Sequence, residues 1–182
     1  MRKLAIHELN RLSVDDFRNK QKNPVVVVLD NIRSASNTGS FFRTSDAFAL
    51  EAVYLCGITA KPPHKDIRKT AIGASESVSW EYFNNTLKAI EKLKQNSFKI
   101  ISVEQCEGSI SLQDYQPVPN QKTAFIFGNE VTGVEQSVIN LSDACIEIPQ
   151  WGTKHSLNVS ISGGIILWDH LSKTGLTSQK IG

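Results

Sequence analysis

The fold of this chain is decided by residues 24–43, which read PVVVVLDNIRSASNTGSFFR. The run Val25–Leu29 is apolar and β-branched, which is typical of a strand buried on both faces. A polar loop follows it. The apolar residues that come next recur at helical spacing, which predicts a helix over Ser40–Leu50 with Asn37 as its cap. A buried strand, a polar loop and a helix in this order indicate one half of a βαβ unit.

The rest of the chain continues the alternation of strands and helices. Together these segments predict an α/β fold, with a mainly parallel sheet and helices on both faces. In such sheets, ligands bind beyond the carboxyl ends of the strands, so the loops there are the candidate site. Further strands are predicted at 52–56, 98–103, 123–127 and 144–148, further helices at 85–93, 134–140 and 157–171, and a short helix or loop at 66–74.

Length and composition indicate a single globular domain. The chain has 182 residues, 20 Lys and Arg against 18 Asp and Glu, and 40% hydrophobic residues. Its longest apolar runs are Val25–Leu29 and Ile165–Trp168, which are too short to span a membrane. Arg2 and Lys3 are followed too soon by Glu8 for a signal-peptide core. We therefore expect a soluble, cytoplasmic protein with no membrane partner.

Several enzyme classes lack their usual sequence support. The three cysteines form no CxxC pair and are predicted to be buried, reduced thiols. The four histidines have no metal-binding spacing, so no metal is expected. The Walker A, GxGxxG and GxSxG motifs are all missing from the sequence.

Residues 1–23 form a basic arm ahead of the first strand, with six Lys and Arg against three acids. Ser13 and Asp16 predict the start of a short helix that carries Phe17. Two interpretations stay open for this arm. It is either a solvated helix packed on the body or a segment that contacts a polyanion. The domain prediction is accordingly a helical arm over 1–23 and a main domain over 24–182.

Three loops carry more polar chemistry than a connection needs. The first loop, at 30–39, leads into a predicted helix. Arg43 lies early in that helix, where a cation opposes the helix dipole. The alternative for Arg43 is an ion pair with Asp46. In the second, Gly128 and Gly133 bracket Glu130, which is either an anion at a helix start or a ligand for a cation. The third loop covers 148–160.

In that third loop, Ser156 or Asn158 could simply cap the last helix. Its dense polar set leads directly into the apolar residues of that helix. Considered alone, none of the three loops specifies a function.

Considered together, the three loops resemble the motifs of the SpoU (TrmH-like) RNA 2′-O-ribose methyltransferase family of the SPOUT superfamily. The pattern is Asn37-x-Gly39-x3-Arg43, then Gly128-Asn129-Glu130-x2-Gly133, then Ile148-Pro149 through Ser156-Leu157-Asn158-Val159-Ser160. The resemblance covers residues 24–172. The stretch Lys69-Thr70-Ala71-Ile72-Gly73-Ala74 is similar to a segment of the tRNA-acting members. The sequence departs from the common pattern at Gln150-Trp151, where many relatives have Met and an aliphatic residue.

The resemblance implies a C-terminal deep trefoil knot whose loops bind S-adenosyl-L-methionine. The implied cofactor-binding residues are Val103, Gly128, Ile148 and Leu157, acting mainly through their backbone groups. Arg43 is implied to be catalytic, with Asn37, Glu130, Ser156 and Asn158 around it. Family members act as homodimers with the active site completed across the interface, and one face of the last helix is the candidate interface.

The implied substrate is RNA, with tRNA favoured over rRNA because only about 23 residues precede the first strand. The expected phosphate contacts are Arg11, Arg18, Lys61, Lys65, Arg68 and Lys69. Three alternatives stay open. They are an rRNA methyltransferase of the same family, a catalytically silent RNA-binding knot protein, and a flavodoxin-like binding domain with coincidental loops.

Overall fold

The structure, a computed structural model, describes residues 1–5, 8 and 12–175. In this part of the chain, a seven-stranded sheet is the centre of the fold, with strand order β3-β2-β1-β6-β4-β7-β5 and every neighbouring pair parallel. The strands are β1 (Asn23–Asp30), β2 (Leu50–Cys56), β3 (Trp80–Phe83), β4 (Lys99–Val103), β5 (Ile110–Ser111), β6 (Thr123–Phe127) and β7 (Ala144–Glu147). The predicted parallel sheet is thereby confirmed.

Helices cover both faces of the sheet, as predicted. Val25, Val27 and Leu29 point into one core with the helices at 35–47 and 159–174, whereas Val26 and Val28 point into a second core with the helix at 86–95. Both faces of β1 are therefore buried, which explains its unbroken run of apolar residues. The helices are α1 (Val14–Asn19), α2 (Ala35–Ala47), α3 (Lys65–Ala71), α4 (Ala74–Ser77), α5 (Thr86–Gln95), α6 (Gln136–Ile139) and α7 (Val159–Thr174).

The start of α2 differs from the prediction. The helix begins at Ala35, five residues earlier than expected, and its cap is Ser34, whose side chain accepts a hydrogen bond from the backbone N–H of Asn37. Asn37 is therefore a helical residue, and its side chain is free to act elsewhere. Gly39 does not form a turn. It lies inside α2, where a Cβ would stand 2.0 Å from Thr70 Oγ1, so it allows α2 and α3 to pack closely.

Two short strands, β3 and β5, were not predicted. β3 (Trp80–Phe83) is mostly polar or aromatic and pairs only with β2 at the sheet edge. β5 has two residues and pairs only with β7 at the other edge. Edge strands bury little side-chain area, so they leave a weak hydrophobic pattern in the sequence.

The described part of the basic arm packs on the body. Ser13 caps α1 as predicted, and Phe17 is buried in the core. Arg18 donates two hydrogen bonds to the carbonyl oxygen of Glu76 in α4, from Nε (3.1 Å) and Nη2 (2.5 Å). Arg11 lies outside the described residues.

The cysteines follow the prediction only in part. All three are free thiols, but only Cys56 is buried, while Cys106 and Cys145 are half-buried beside the ends of β4 and β7.

The last helix, α7, is anchored to the segment that follows β5. Lys173 donates hydrogen bonds to the carbonyl oxygens of Leu112 and Tyr115, both 2.9 Å long. His170 is buried against Tyr115, with 3.0 Å between Nδ1 and the Tyr hydroxyl, and burial lowers the pKa of His170 to about 4. The imidazole is therefore neutral at physiological pH.

Two adjacent glycines in α7 offer a matched test of this packing. A Cβ on Gly163 would lie 2.3 Å from Phe41 Cε1, whereas a Cβ on Gly164 would meet nothing within 4 Å. Phe41 is held by Phe127, with ring centroids 4.9 Å apart, so it has little room to move.

We expect Gly163→Ala to lower the free energy of unfolding by about 1–3 kcal/mol through overpacking. Gly164→Ala should instead raise it by up to about 1 kcal/mol, because alanine favours the helix. Urea unfolding of both variants measures the difference. Equal effects would contradict the packing described for α2 and α7.

Candidate active site

The carboxyl ends of β4, β6 and β7 meet beside a cavity of about 570 Å³. Sites for small organic molecules usually measure about 300–1,000 Å³. The cavity is lined almost entirely by segments that directly follow these strands, as expected for a parallel sheet. The lining segments are 103–105, 127–133, 146–148 with Gln150, and 155–159 with Ser162.

The loop after β6 is a tight turn built on two glycines. Asn129 and Gly133 exchange backbone hydrogen bonds of 3.0 and 2.9 Å. A Cβ on Gly128 would lie 2.2 Å from the backbone carbon of Gly133. Gly133 itself has a φ of +68°, and a Cβ there would lie 2.2 Å from Glu104 Oε2. A side chain at Gly128 would collide with backbone and push this loop open, whereas one at Gly133 would be strained by the positive φ and would displace the Glu104 carboxylate.

Glu130, at the tip of this loop, binds the amino-terminal end of α2. Its carboxylate accepts hydrogen bonds from the backbone N–H groups of Arg33 (2.9 Å) and Ser34 (3.1 Å) and from Asn37 Nδ2 (3.0 Å). Of the two interpretations of Glu130, the structure shows the anion at a helix start, where the helix dipole also favours it.

The ionisation of Glu130 reflects these contacts. Burial by itself would raise the pKa of Glu130, but the hydrogen bonds from the backbone of Arg33, Glu130 and Ser34 and from the Asn37 side chain outweigh it. The pKa is therefore lowered, and the carboxylate is charged at neutral pH.

A hydrogen-bonded chain extends from Glu130 to the last helix. Asn37 Oδ1 accepts from Asn158 Nδ2 (3.2 Å) and from the Ser160 hydroxyl (3.4 Å). Asn158 also caps α7, because its Oδ1 accepts from the backbone N–H of Ser160. Three segments distant in the sequence thus meet through Glu130, Asn37 and Asn158.

The structure therefore brings together most of the residues predicted for the reaction. Asn37, Glu130 and Asn158 are in contact, and Ser156 lines the cavity beside them. All four residues predicted to bind the cofactor also line the cavity, namely Val103, Gly128, Ile148 and Leu157. Asn158, rather than Ser156, is the cap of α7.

Arg43 is the exception, because it does not line the cavity of its own chain. It lies six residues beyond Asn37 on α2, which is about 9 Å along the axis and on another side of the helix. Its side chain is exposed. The alternative pairing with Asp46 is not formed either; Asp46 accepts a hydrogen bond from Ser77 instead. Within the described chain, the Arg43 side chain has no hydrogen-bond or ion-pair partner.

Four of the predicted RNA contacts lie in α3 or just before it, and Arg18 lies in α1. Lys65, Arg68 and Lys69 surround a shallow depression on α3. Lys61 lies with Nζ 4.0 Å from the centroid of the Tyr82 ring.

Three ionisable residues of the cavity lining were not predicted from the sequence: Glu104, Glu147 and His155. With Glu130, they are the ionisable side chains of the cavity lining, which in the described chain contains no Lys or Arg. Glu104 and Glu147 lie at or just after strand ends, which is the one signal that could have identified them. Glu104 accepts hydrogen bonds from the backbone N–H groups of Val134 (2.9 Å) and Gln105 (2.8 Å), so it also holds the glycine loop.

Two further observations concern the described residues. None of the helices resolved over these ranges is long and apolar enough to cross a membrane. Nor do these residues contain a group of three or more His, Cys, Asp or Glu side chains arranged to hold a metal ion.

The fold and the three joined loops define an α/β protein with a candidate site at the carboxyl ends of a parallel sheet, and a family model identifies its family. The model of the SpoU rRNA methylase family matches residues 24–168. The chain belongs to this family.

The relatives of the chain include enzymes named for two RNA substrates. It is 27% identical over 173 residues to a 23S rRNA (guanosine-2′-O-)-methyltransferase of Neisseria meningitidis serogroup B, covering 94% of this chain and 68% of the relative. It is 26% identical over 168 residues to a tRNA (guanosine(18)-2′-O)-methyltransferase of Borreliella burgdorferi, covering 92% and 75%.

Solved structures share the fold. The A. aeolicus TrmH/SpoU tRNA modifying enzyme aligns with a TM-score of 0.78 and 24% identity, over 91% of this chain and 84% of that one. An AdoMet-bound rRNA methyltransferase from Sinorhizobium meliloti aligns with a TM-score of 0.77 and 24% identity, over 86% of this chain and 59% of that one.

The carboxylate of Glu130 gives a pH-dependent prediction. Because folding lowers its pKa below the ordinary value of 4.5, its stabilising effect is present above that value and is lost as pH falls through the folded-state pKa. We expect Glu130→Gln to be less stable than the wild type at about pH 7, with the difference shrinking at about pH 3.5.

Urea unfolding at both pH values measures this difference. Glu107→Gln, in an exposed loop outside the cavity, is the control and should match the wild type at each pH. A difference for Glu130→Gln that grows on acidification would contradict the described role.

Proposed function

We propose that this protein is an S-adenosyl-L-methionine-dependent RNA 2′-O-ribose methyltransferase that acts on tRNA in the cytoplasm. The observation that carries the proposal is the hydrogen-bonded junction of Asn37, Glu130 and Asn158 beside a cavity at the carboxyl ends of the sheet. Membership of the SpoU family and relatives named as 2′-O-methyltransferases support it.

The cavity fits the proposed cofactor. Its ionisable lining is acidic apart from His155, which suits a ligand that carries a sulfonium and an ammonium. Val103, Gly128, Ile148 and Leu157 would hold the cofactor through backbone groups at the strand ends. When bound, S-adenosylmethionine supplies an electrophilic methyl group.

The residues of the junction would orient the sugar. Asn37 and Asn158 each use one amide N–H within the junction, so each retains a second N–H for a ribose oxygen. Glu130 is fully engaged in binding α2, and it therefore positions Asn37 rather than contacting the sugar. Fixing the 2′-hydroxyl in one orientation is the main contribution that such a site makes to the rate.

Arg43 would grip the phosphate next to the methylated ribose. Its guanidinium offers a planar pair of donors that matches a phosphate, and it would stabilise negative charge developing on the 2′-oxygen. The family resemblance also assigns it the proton of the 2′-hydroxyl, which would require desolvation, because a guanidinium is normally protonated.

Because Arg43 lies outside the cavity of its own chain, we propose that it completes the site of a second copy in a homodimer. The α7 residues Ile161, Ile165 and Trp168 form an exposed apolar stripe. This stripe borders α2, with 6.1 Å between the ring centroids of Phe48 and Trp168. A two-fold interface over α2 and α7 would cover the stripe and present Arg43 to the partner.

The proposed fold also includes the trefoil knot. The chain leaves β7 near one sheet edge and returns across the ends of β4 and β6 to start α7 beside α2. Gln105 contacts the carbonyl of His155 on this return path, at 3.3 Å. Passage of the return segment through the loop that follows β4 would close the knot.

For the RNA, the proposed contacts are the α3 cluster of Lys65, Arg68 and Lys69, together with Lys61 and the arm. α3 packs against the first turns of α2, with Thr70 Oγ1 2.9 Å from the Ser36 carbonyl, so this basic surface lies near the junction. Phosphate contacts there would position the RNA without reading its sequence.

The second candidate substrate is rRNA, which the names of several relatives favour. A catalytically silent RNA-binding protein is the third candidate.

One assay separates these candidates. The protein is incubated with S-adenosylmethionine and unmodified tRNA or rRNA, and the nucleosides are analysed by mass spectrometry. We expect a 2′-O-methylated nucleoside in tRNA. Methylation of rRNA alone would replace the substrate assignment, and binding of both RNAs without methylation would favour the silent protein.

Replacing Arg43 tests its role. We expect Arg43→Ala and Arg43→Lys each to lower kcat/KM at least about 100-fold, since lysine lacks the paired donors. Affinity for S-adenosylhomocysteine, measured by calorimetry, should stay unchanged. Lys88→Ala, exposed on α5 over the other face of the sheet, is the control. Near-normal turnover of both Arg43 variants would refute the assignment.

Mixed dimers test whether Arg43 acts across the interface. Arg43→Ala and Asn158→Ala subunits are each inactive alone, but a mixed dimer contains one cavity with both native residues. An equal mixture should therefore recover roughly a quarter of the wild-type activity. No recovery from verified mixed dimers would place Arg43 at its own cavity.

A further inference from the structure

Trp151 is the most exposed tryptophan of the described chain. Its exposed fraction is 90%, against 55% for Trp168 and 38% for Trp80. An indole so free of contacts contributes nothing to the packing of its own chain. Gln150 and Trp151 are also the positions at which the sequence departs from the SpoU pattern. The family motif therefore does not account for a tryptophan here.

The loop that carries Trp151 forms one side of the cavity mouth. Its neighbours Gln150 and His155 line the cavity, and every residue from 151 to 158 is exposed. A hydrogen bond connects this loop to the loop after β4, because the carbonyl oxygen of His155 accepts from Gln105 Nε2. Gly152 follows the indole, and a Cβ there would meet nothing within 4 Å. The backbone around the indole is therefore uncrowded as well.

The chemistry of this position favours a nucleobase. If a ribose hydroxyl enters the junction of Asn37 and Asn158, as the proposed function requires, the bases on either side must lie at the cavity mouth. Unstacked RNA bases bind to aromatic faces, and tryptophan offers the largest face. Lys154, three residues further on, is the one Lys or Arg between 148 and 158, and it adds a cation for the adjoining phosphate.

We propose that Trp151 stacks on an unpaired base of the RNA at or next to the methylated nucleotide, and so holds that part of the RNA at the cavity mouth. This inference rests on the proposed function. It concerns substrate binding only, because Trp151 lies outside the cofactor cavity.

The first test compares variants of the full-length protein in the tRNA methylation assay. Trp151→Ala should lower kcat/KM for RNA by about 5- to 100-fold, the range that loss of one base–aromatic stack produces. Trp151→Phe should retain most of the activity. Affinity for S-adenosylhomocysteine should not change in either variant. Val118→Ala removes an exposed apolar group from the loop before β6, outside the cavity lining, and should match the wild type.

The second test is independent of turnover. Tryptophan fluorescence is followed while unmodified tRNA is added in the presence of S-adenosylhomocysteine. Stacking predicts quenching in the wild type that is lost in Trp151→Phe. Quenching of equal size in both proteins, or kcat/KM of Trp151→Ala within about twofold of the wild type, would overturn the proposal.

A second copy of the chain is the competing occupant of this surface. If it covers Trp151, Trp151→Ala will shift the oligomeric state in size-exclusion chromatography, and that result would also overturn the proposal. Failure of the wild type to methylate any RNA would instead refute the proposed function. The two failures are therefore distinguishable.

Discussion

The candidate site depends on one carboxylate. Glu130 accepts three hydrogen bonds from the start of α2, and those bonds hold the loop after β6 against the loop after β1. Asn37 then extends the connection to Asn158 at the start of α7. Asn129, beside Glu130, adds a 2.7 Å hydrogen bond to the carbonyl oxygen of Asn31, so the carboxylate is the charged centre of a connection that two neighbouring side chains make. The site is thus organised around the dipole of a single helix.

The close approach of the two backbone segments in the loop after β6 also serves to position Glu130. Gly128 and Gly133 bring the two arms of the β6 loop together, and Glu104 fills the space beside Gly133 with a carboxylate that accepts two backbone N–H groups. Glycine is required at Gly128 by its contact with backbone and is favoured at Gly133 by its positive φ. These constraints aim Glu130 at α2. The main effect of the tight loop is therefore to direct the Glu130 side chain. The same loop forms part of the cavity lining.

Much of the sheet could be predicted from the sequence, because central strands such as Val25–Leu29 and Thr123–Phe127 are buried on both faces and carry an unbroken apolar pattern. Edge strands such as Trp80–Phe83 carry no such pattern. The start of α2 was misplaced because Ser34 and Asn37 are both good caps, and only the contact of Asn37 with Glu130 decides between them. Which residues form the candidate site could be predicted from the family motifs. The position of Arg43 outside the cavity could not be predicted, because helical spacing does not tell whether a side chain serves its own subunit or another.

Strand order has a consequence for how the protein is made. β6 lies between β1 and β4, so residues 123–127 insert into the middle of a sheet whose other central strands are synthesised earlier. The junction joins Asn37 to residues 93 and 121 positions later. During synthesis, β1 and β4 therefore cannot gain their shared neighbour until β6 is made, and the candidate site is complete only after residue 158 has been added.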